Sequence, residues 1–147
     1  MIPSDNCINL CKQFEGLSLI PYLDIAGIPT IGYGSTYYEN GTKVTMDDPA
    51  ISEDLAISLL QIKLNEFSEQ ISKVVTVNLN QNQLDALTDF VYNLGFGSFE
   101  HSTMLIYINS SQFDLASQEF PKWDHSGGIV VPGLLKRRQA EQTLFNS

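Results

Sequence analysis

The sequence predicts an α+β fold, mostly α, in which a small antiparallel β-sheet lobe packs against a helical lobe. Three observations carry this. Amphipathic helical patterns fill most of the chain after Ser52. Strand signals are confined to a short stretch before it, from the TIGYG run to the Asn40-Gly41 dipeptide. The 147 residues are one domain's length, enough to bury a core without disulfides. Charged residues make up 17% and hydrophobic ones 43%, which excludes a disordered chain.

Each element follows from local chemistry. Ser4 or Asp5 is suited to cap a first helix, whose inward stripe is Cys7, Leu10, Cys11 and Phe14. Gly16 follows, where that helix is expected to stop in the left-handed conformation. Cys7 and Cys11 are one helical turn apart, a poor frame for disulfide geometry, and read as two small buried hydrophobes. No zinc spacing is present, and neither a metal nor a cofactor is expected. Asp24 belongs to a tight turn ending at Gly27, and Thr30 heads a β-branched and aromatic run closed by Gly32 and Gly34. Asn40-Gly41 is a hairpin signal, so two or three strands are expected, leaning on helices because so small a sheet cannot stand alone. Asp47-Asp48-Pro49 breaks the chain before a long helix from about Ser52 to Lys73, carrying Leu55, Leu59, Leu60, Ile62, Leu64, Phe67 and Ile71.

After a β-branched linker, Val74 to Asn80, Asn80 caps the next helix with Gln83 as its capping-box partner. Leu84, Leu87, Phe90, Val91 and Leu94 form its core face, and Gly95-Phe96-Gly97 stops it. Asn93 is expected to satisfy backbone groups there. Two short helices follow, Thr103 to Ile108 and Gln112 to Phe120, the second ended by Pro121. Gly127-Gly128 reads as a turn, and His101 and His125 as surface residues. The last helix, about Gly133 to Phe145, is expected to turn Leu134, Leu135 and Leu144 inward, while Lys136, Arg137 and Arg138 read as a solvated face.

The chemistry concentrates in FEGLSLIPYLDIAGIPTIGYGST. Glu15 closes a helix, Asp24 lies in a turn nine residues on, and Thr30 opens a strand six residues further. Taken singly, each is an ordinary structural residue. Together they bring a proton donor, an anionic group and a hydroxyl toward one cleft, which suits cleavage of a glycosidic bond.

These residues, within EG, YLD and GIPTIGYG, resemble the signature of the phage-type lysozymes, the endolysins of bacterial viruses. The resemblance implies a lysozyme-like fold, with Glu15 as general acid, Asp24 assisting the attacking water or the developing cation, and Thr30 positioning the water. One position departs from it: many members have a histidine after the last glycine of the strand, and here it is Ser35. LNQNQLDALTDFVYNLGFGSFEHST resembles the family's second signature, and GLLKRRQAE its closing motif, in which a basic residue supports the acid end of the first helix. Arg137 is the candidate for that support. Tyr33, Phe99 and Trp123 are candidates for substrate binding, with a core role at least as strong for Phe99 and stronger for Trp123. By resemblance, a small active-site lobe spans about residues 14–50, a linking helix about 52–73, and a helical lobe about 80–147 together with the first helix. That covers nearly the whole chain, leaving no segment for a wall-binding module.

The implied reaction is hydrolysis of the β-1,4 bond between N-acetylmuramic acid and N-acetylglucosamine in peptidoglycan. Glu15 has to be protonated to do it, by burial or a nearby negative charge. A lytic transglycosylase acts on the same bond with one Glu, and Asp24 and Thr30 favour hydrolysis over it. A non-catalytic wall-binding or lysis-regulating protein on this scaffold is disfavoured by the intact triad. The net charge of −9 argues against nucleic acid and anionic membrane surfaces as partners, and mildly against a wall-degrading role. The motif outranks it, because net charge governs association rather than fold. The N-terminus lacks the pattern of a signal peptide, and no apolar run is long enough to span a bilayer. A monomer made in the host cytoplasm is expected, reaching the wall either through a holin or by injection as a toxin with an immunity protein.

Overall fold

The computed structural model describes residues 1–147. Helix α1 spans Asp5–Phe14, strands β1 and β2 span Ser18–Leu23 and Pro29–Gly32, and helix α2 spans Glu53–Val74. Then come α3 (Gln81–Leu94), α4 (Phe96–Glu100), α5 (Thr103–Asn109), α6 (Phe113–Ser117) and a 3₁₀ turn, Phe120–Lys122. A two-residue hairpin, β3 (His125–Ser126) and β4 (Ile129–Val130), precedes α7 (Pro132–Phe145).

The caps fall where the sequence puts them. The Ser4 hydroxyl accepts from the Asn6 N–H, Ser52 from Leu55, and Asn80 forms the full capping box with Gln83. Ser4 also ties α1 to α3: its N–H donates to Asp85 Oδ1 at 2.9 Å and its hydroxyl to Asp85 Oδ2.

The core has three parts. Thirteen buried residues of α2–α7 form the largest, around Phe90, with Phe99, Phe120 and Trp123 meeting its ring edge-on at 5.6–6.5 Å. A second joins Cys7 and Cys11 of α1 to Ala56, Leu60 and Leu64 of α2 and to Tyr33. A third, Ile31, Val44 and Leu59, seats the small lobe on α2. The sheet therefore leans on helices, as its small apolar area requires.

Several expectations are corrected. Helix α1 ends on Glu15 in extended conformation, φ −92° and ψ 134°, and Gly16 is not left-handed. The extended exit leads directly into β1, which the sequence reading missed. The Asn40-Gly41 turn yields only an isolated bridge, Tyr37 with Lys43, instead of a full hairpin. The second short helix stops at Ser117, and Pro121 lies inside the 3₁₀ turn. On α7 the buried residues are Arg137, Arg138, Glu141 and Phe145, with Leu134, Leu135 and Leu144 only half-buried. Arg137 and Arg138 are thus turned inward, and only Lys136 of the basic run is exposed.

Candidate active site

Strands β1 and β2 pair antiparallel with Tyr22 opposite Thr30, and the turn between them holds Asp24. The Asp24 backbone closes the turn: its N–H donates to the Ile28 carbonyl at 3.0 Å, and its carbonyl accepts from Gly27 at 2.9 Å. Gly27 has φ +77°, a conformation that favours glycine. Asp24 Oδ1 accepts from the Ile28 N–H at 2.9 Å, which fixes the carboxylate and leaves Oδ2 outside the turn's hydrogen bonds. Thr30 is buried, and its hydroxyl donates to the Ile28 carbonyl at 2.8 Å. With its only proton spent there, the hydroxyl meets any further partner as an acceptor.

Glu15, at the end of α1, keeps 27% of its side chain exposed. Its Oε1 accepts from Arg137 Nη1 at 2.7 Å. Arg137 lies against the Phe14 ring, 5.7 Å from its centroid, and is 4% exposed. The rest of its guanidinium is forked onto Asp89 of α3, Nε to Oδ2 at 3.0 Å and Nη2 to Oδ1 at 2.8 Å. Asp89 is fully buried and also accepts from Cys11 Sγ at 2.9 Å. So the group bonded to Glu15 is a cation already shared with a second carboxylate, where the sequence reading expected burial or a negative neighbour.

Tyr22 lies in the field of both acids. Burial raises its hydroxyl above the ordinary tyrosine range, and the charges of Glu15 and then Asp24 add to the effect. Tyr92 of α3 is likewise raised, by burial first and then by Glu15. It donates to the Tyr33 carbonyl at 2.5 Å. Gly34 lies under it: at φ +96°, a Cβ there would stand 3.2 Å from the Tyr92 hydroxyl.

The three substrate-binding candidates fare differently. Phe99 is fully buried against Phe90, has no face to offer a sugar, and is withdrawn. Tyr33 is 3% exposed, with its ring in the α1–α2 core, which withdraws it too. Trp123 is half-buried and packed edge-on to Phe90, so its main contact is core. Asn93 accepts from Arg138 Nη2 at 2.8 Å, a side chain where backbone groups were expected. Sequence reasoning missed Tyr22, Asp89 and Tyr92. Tyr22 had a usable signal, two residues before Asp24 on one strand; the α3 pair had none short of the packing. A cavity of about 380 Å³ also opens between residues 34–41 and α2, bordered by Gly34, Tyr37, Leu59 and Lys63, but none of Glu15, Asp24 and Thr30 lines it. No helix is long and apolar enough to cross a membrane.

Comparison with known proteins points to one family. The phage lysozyme family model matches residues 12–141. An endolysin of Salmonella phage P22 is 37% identical over 147 residues, covering 98% of this chain and 97% of its own. An endolysin of Bacillus phage B103 is 41% identical over 138 residues, covering 94% of this chain but 51% of its own. The chain thus spans about half the length of the Bacillus phage relatives it matches and nearly all of the P22 protein. A crystal structure of a P22 lysozyme mutant superposes with a TM-score of 0.91 at 37% identity, over 100% of this chain and 99% of that one. The muramidase domain of SpmX from Asticaccaulis excentricus gives 0.83 at 32% identity, over 98% and 97%. With the family model matched across both the Glu15–Thr30 stretch and the Arg137 helix, the chain belongs to the phage lysozyme family.

Proposed function

We propose that this chain is a muramidase that hydrolyses the β-1,4 bond between N-acetylmuramic acid and N-acetylglucosamine, with Glu15 as general acid and Asp24 and Thr30 holding the attacking water. Its small lobe, linking helix and helical lobe act as one lysozyme domain. The observation that carries this reading is the state of the Thr30 hydroxyl, whose proton is committed to the Ile28 carbonyl. A water that donates one hydrogen to Asp24 and the other to Thr30 Oγ1 keeps its lone pairs for the sugar carbon. Attack then comes from the face opposite the leaving oxygen, and the anomeric configuration inverts.

On the other side of the bond, Arg137 fixes Glu15 through Oε1, which leaves Oε2 to carry the proton. Delivered to the glycosidic oxygen, that proton neutralises the departing sugar alkoxide as the bond breaks. Asp24 takes the proton lost by the water, so charge balances with no metal or cofactor in the scheme. The endolysins among its relatives support release of the protein to the wall through a separate membrane pore as its biological setting. Delivery as a toxin with an immunity partner is the alternative, and neighbouring genes distinguish the two.

The test is mass spectrometry of muropeptides released from purified sacculi. Hydrolysis yields reducing muramic acid; internal transfer yields its anhydro form, one water lighter. Muropeptides carrying the anhydro sugar at new ends, or no new ends at all, would overturn the proposal.

A further inference from the structure

Arg137 presents a difficulty for any role of Glu15 as acid. A guanidinium at 2.7 Å positions a carboxyl group but also favours its ionised form. The fold contains an answer. The groups facing the Glu15–Arg137 pair are Cys11 from α1, Tyr22 from β1, Asp89 and Tyr92 from α3, and Arg138 and Glu141 from α7. Most of the acids among them are held neutral. Cys11 is raised by the Cys7 hydrogen bond, burial and the Asp89 charge, and both tyrosines are raised chiefly by burial. Glu141, fully buried with Oε1 3.8 Å from Arg137 Nε, is raised well above the ordinary carboxyl range by burial and by Asp89. Asp89 alone goes the other way: burial pushes it up, but the neighbouring Glu141 and the two hydrogen bonds from Arg137 outweigh that and hold it ionised.

We infer that Asp89 is a positioning residue for the reaction: by forking onto Arg137 it cancels the guanidinium's charge, so that Arg137 steers the Glu15 carboxyl without drawing off its proton. The inference rests on the reading of Glu15 as general acid. The fork uses Nε and Nη2 and leaves only Nη1 for Glu15, so one geometry delivers both alignment and neutralisation. Cys11, donating to the same Asp89 oxygen that Nη2 reaches, anchors that carboxylate to the helix that carries Glu15.

The test is the pH dependence of kcat/KM on purified peptidoglycan at constant ionic strength, read on its alkaline limb, where the general acid loses its proton. In Asp89→Asn the Arg137 charge is uncompensated, and the limb moves down by about one pH unit or more, the scale of an unscreened opposite charge at contact. In Asp89→Asn/Arg137→Gln both charges go and the limb returns to within about 0.3 unit of the parent, although kcat falls because Glu15 has lost its guide; the expected return is small because a cancelled pair exerts little net field. The double variant removes both members of the Asp89–Arg137 pair and so creates no new unpaired buried charge, which keeps it the test if Asp89→Asn alone does not fold. An unmoved limb in a folded Asp89→Asn, or an upward move of about a unit in the double variant, would overturn the inference, the second because Arg137 would then have acted on Glu15 uncompensated. Glu15→Gln is run beside them: full activity there would instead remove the general-acid reading itself.

Discussion

In the roles proposed for them, Glu15, Asp24 and Thr30 are each oriented by one hydrogen bond, Glu15 by Arg137 of the last helix and the other two by Ile28 of their own turn. Glu15→Gln keeps the acceptor for Arg137 and removes the transferable proton, so wall lysis falls by roughly 10²–10⁴-fold while circular dichroism stays unchanged. A folded variant that clears permeabilised cells near the parent rate would contradict the assignment. Thr30→Val keeps the β-branched shape in a buried site and removes the water's second acceptor. It is expected to lower kcat by about 10²-fold, the scale of a misplaced reactant, with KM little changed. An equal loss confined to KM would mean Thr30 contacts ground-state substrate. The proposed triad could be picked out of the sequence because all three residues lie in one short stretch with its glycines. Asp89 was not: an acid inside an amphipathic helix reads as its polar side, and only the fold reveals that α3 is buried from Leu84 through Val91.

The last helix was misread for a related reason. Hydrophobic periodicity assigns the leucines to the core and the basic run to solvent, whereas α7 turns Arg137, Arg138 and Glu141 inward against α3. Ionisable groups are buried there because each bonds at least one partner on a neighbouring turn or helix, which a one-dimensional pattern does not record. Arg138 illustrates it. It is fully buried, 5.2 Å over the Phe90 ring, and bonded to Asn93 and Glu141. Truncation to Ala removes a large core side chain and is expected to cost about 3 kcal/mol. At roughly 2–4 °C per kcal/mol, Tm should fall by about 6–12 °C. Arg138→Met, apolar and similar in length, should lose less, because it refills the core volume and the Glu141 it leaves behind is held neutral by burial. Calorimetry of the two variants decides it; equal losses would mean that the charge, not the volume, holds α7 to α3. The long α2 and α3, by contrast, were legible to within a residue or two, since their caps and apolar stripes agree.

For the whole molecule, the buried carboxyls give stability a pH dependence of known sign. Glu141 is raised on folding, so the folded chain binds its proton more tightly than the unfolded chain. Its contribution is complete below the unfolded carboxyl range, near pH ~4.3, and is lost as pH climbs toward the folded value. Asp89 is lowered, so its contribution is present above the unfolded range and is lost as pH falls through the folded value. Glu141→Gln fixes the neutral form, so its Tm relative to the parent should rise as pH climbs above the unfolded carboxyl range, near pH ~4.3. A parent that gains on the variant as pH rises would mean that Glu141 ionises as a partner of Arg138. The central claim is that Glu15 protonates the leaving oxygen while Asp24 and Thr30 deliver a water from the opposite face. Proton NMR of the first-formed reducing end, read before mutarotation, tests it most directly. The account predicts the α-anomer at the earliest time points; a β-anomer, or cleavage with no reducing end at all, would contradict it.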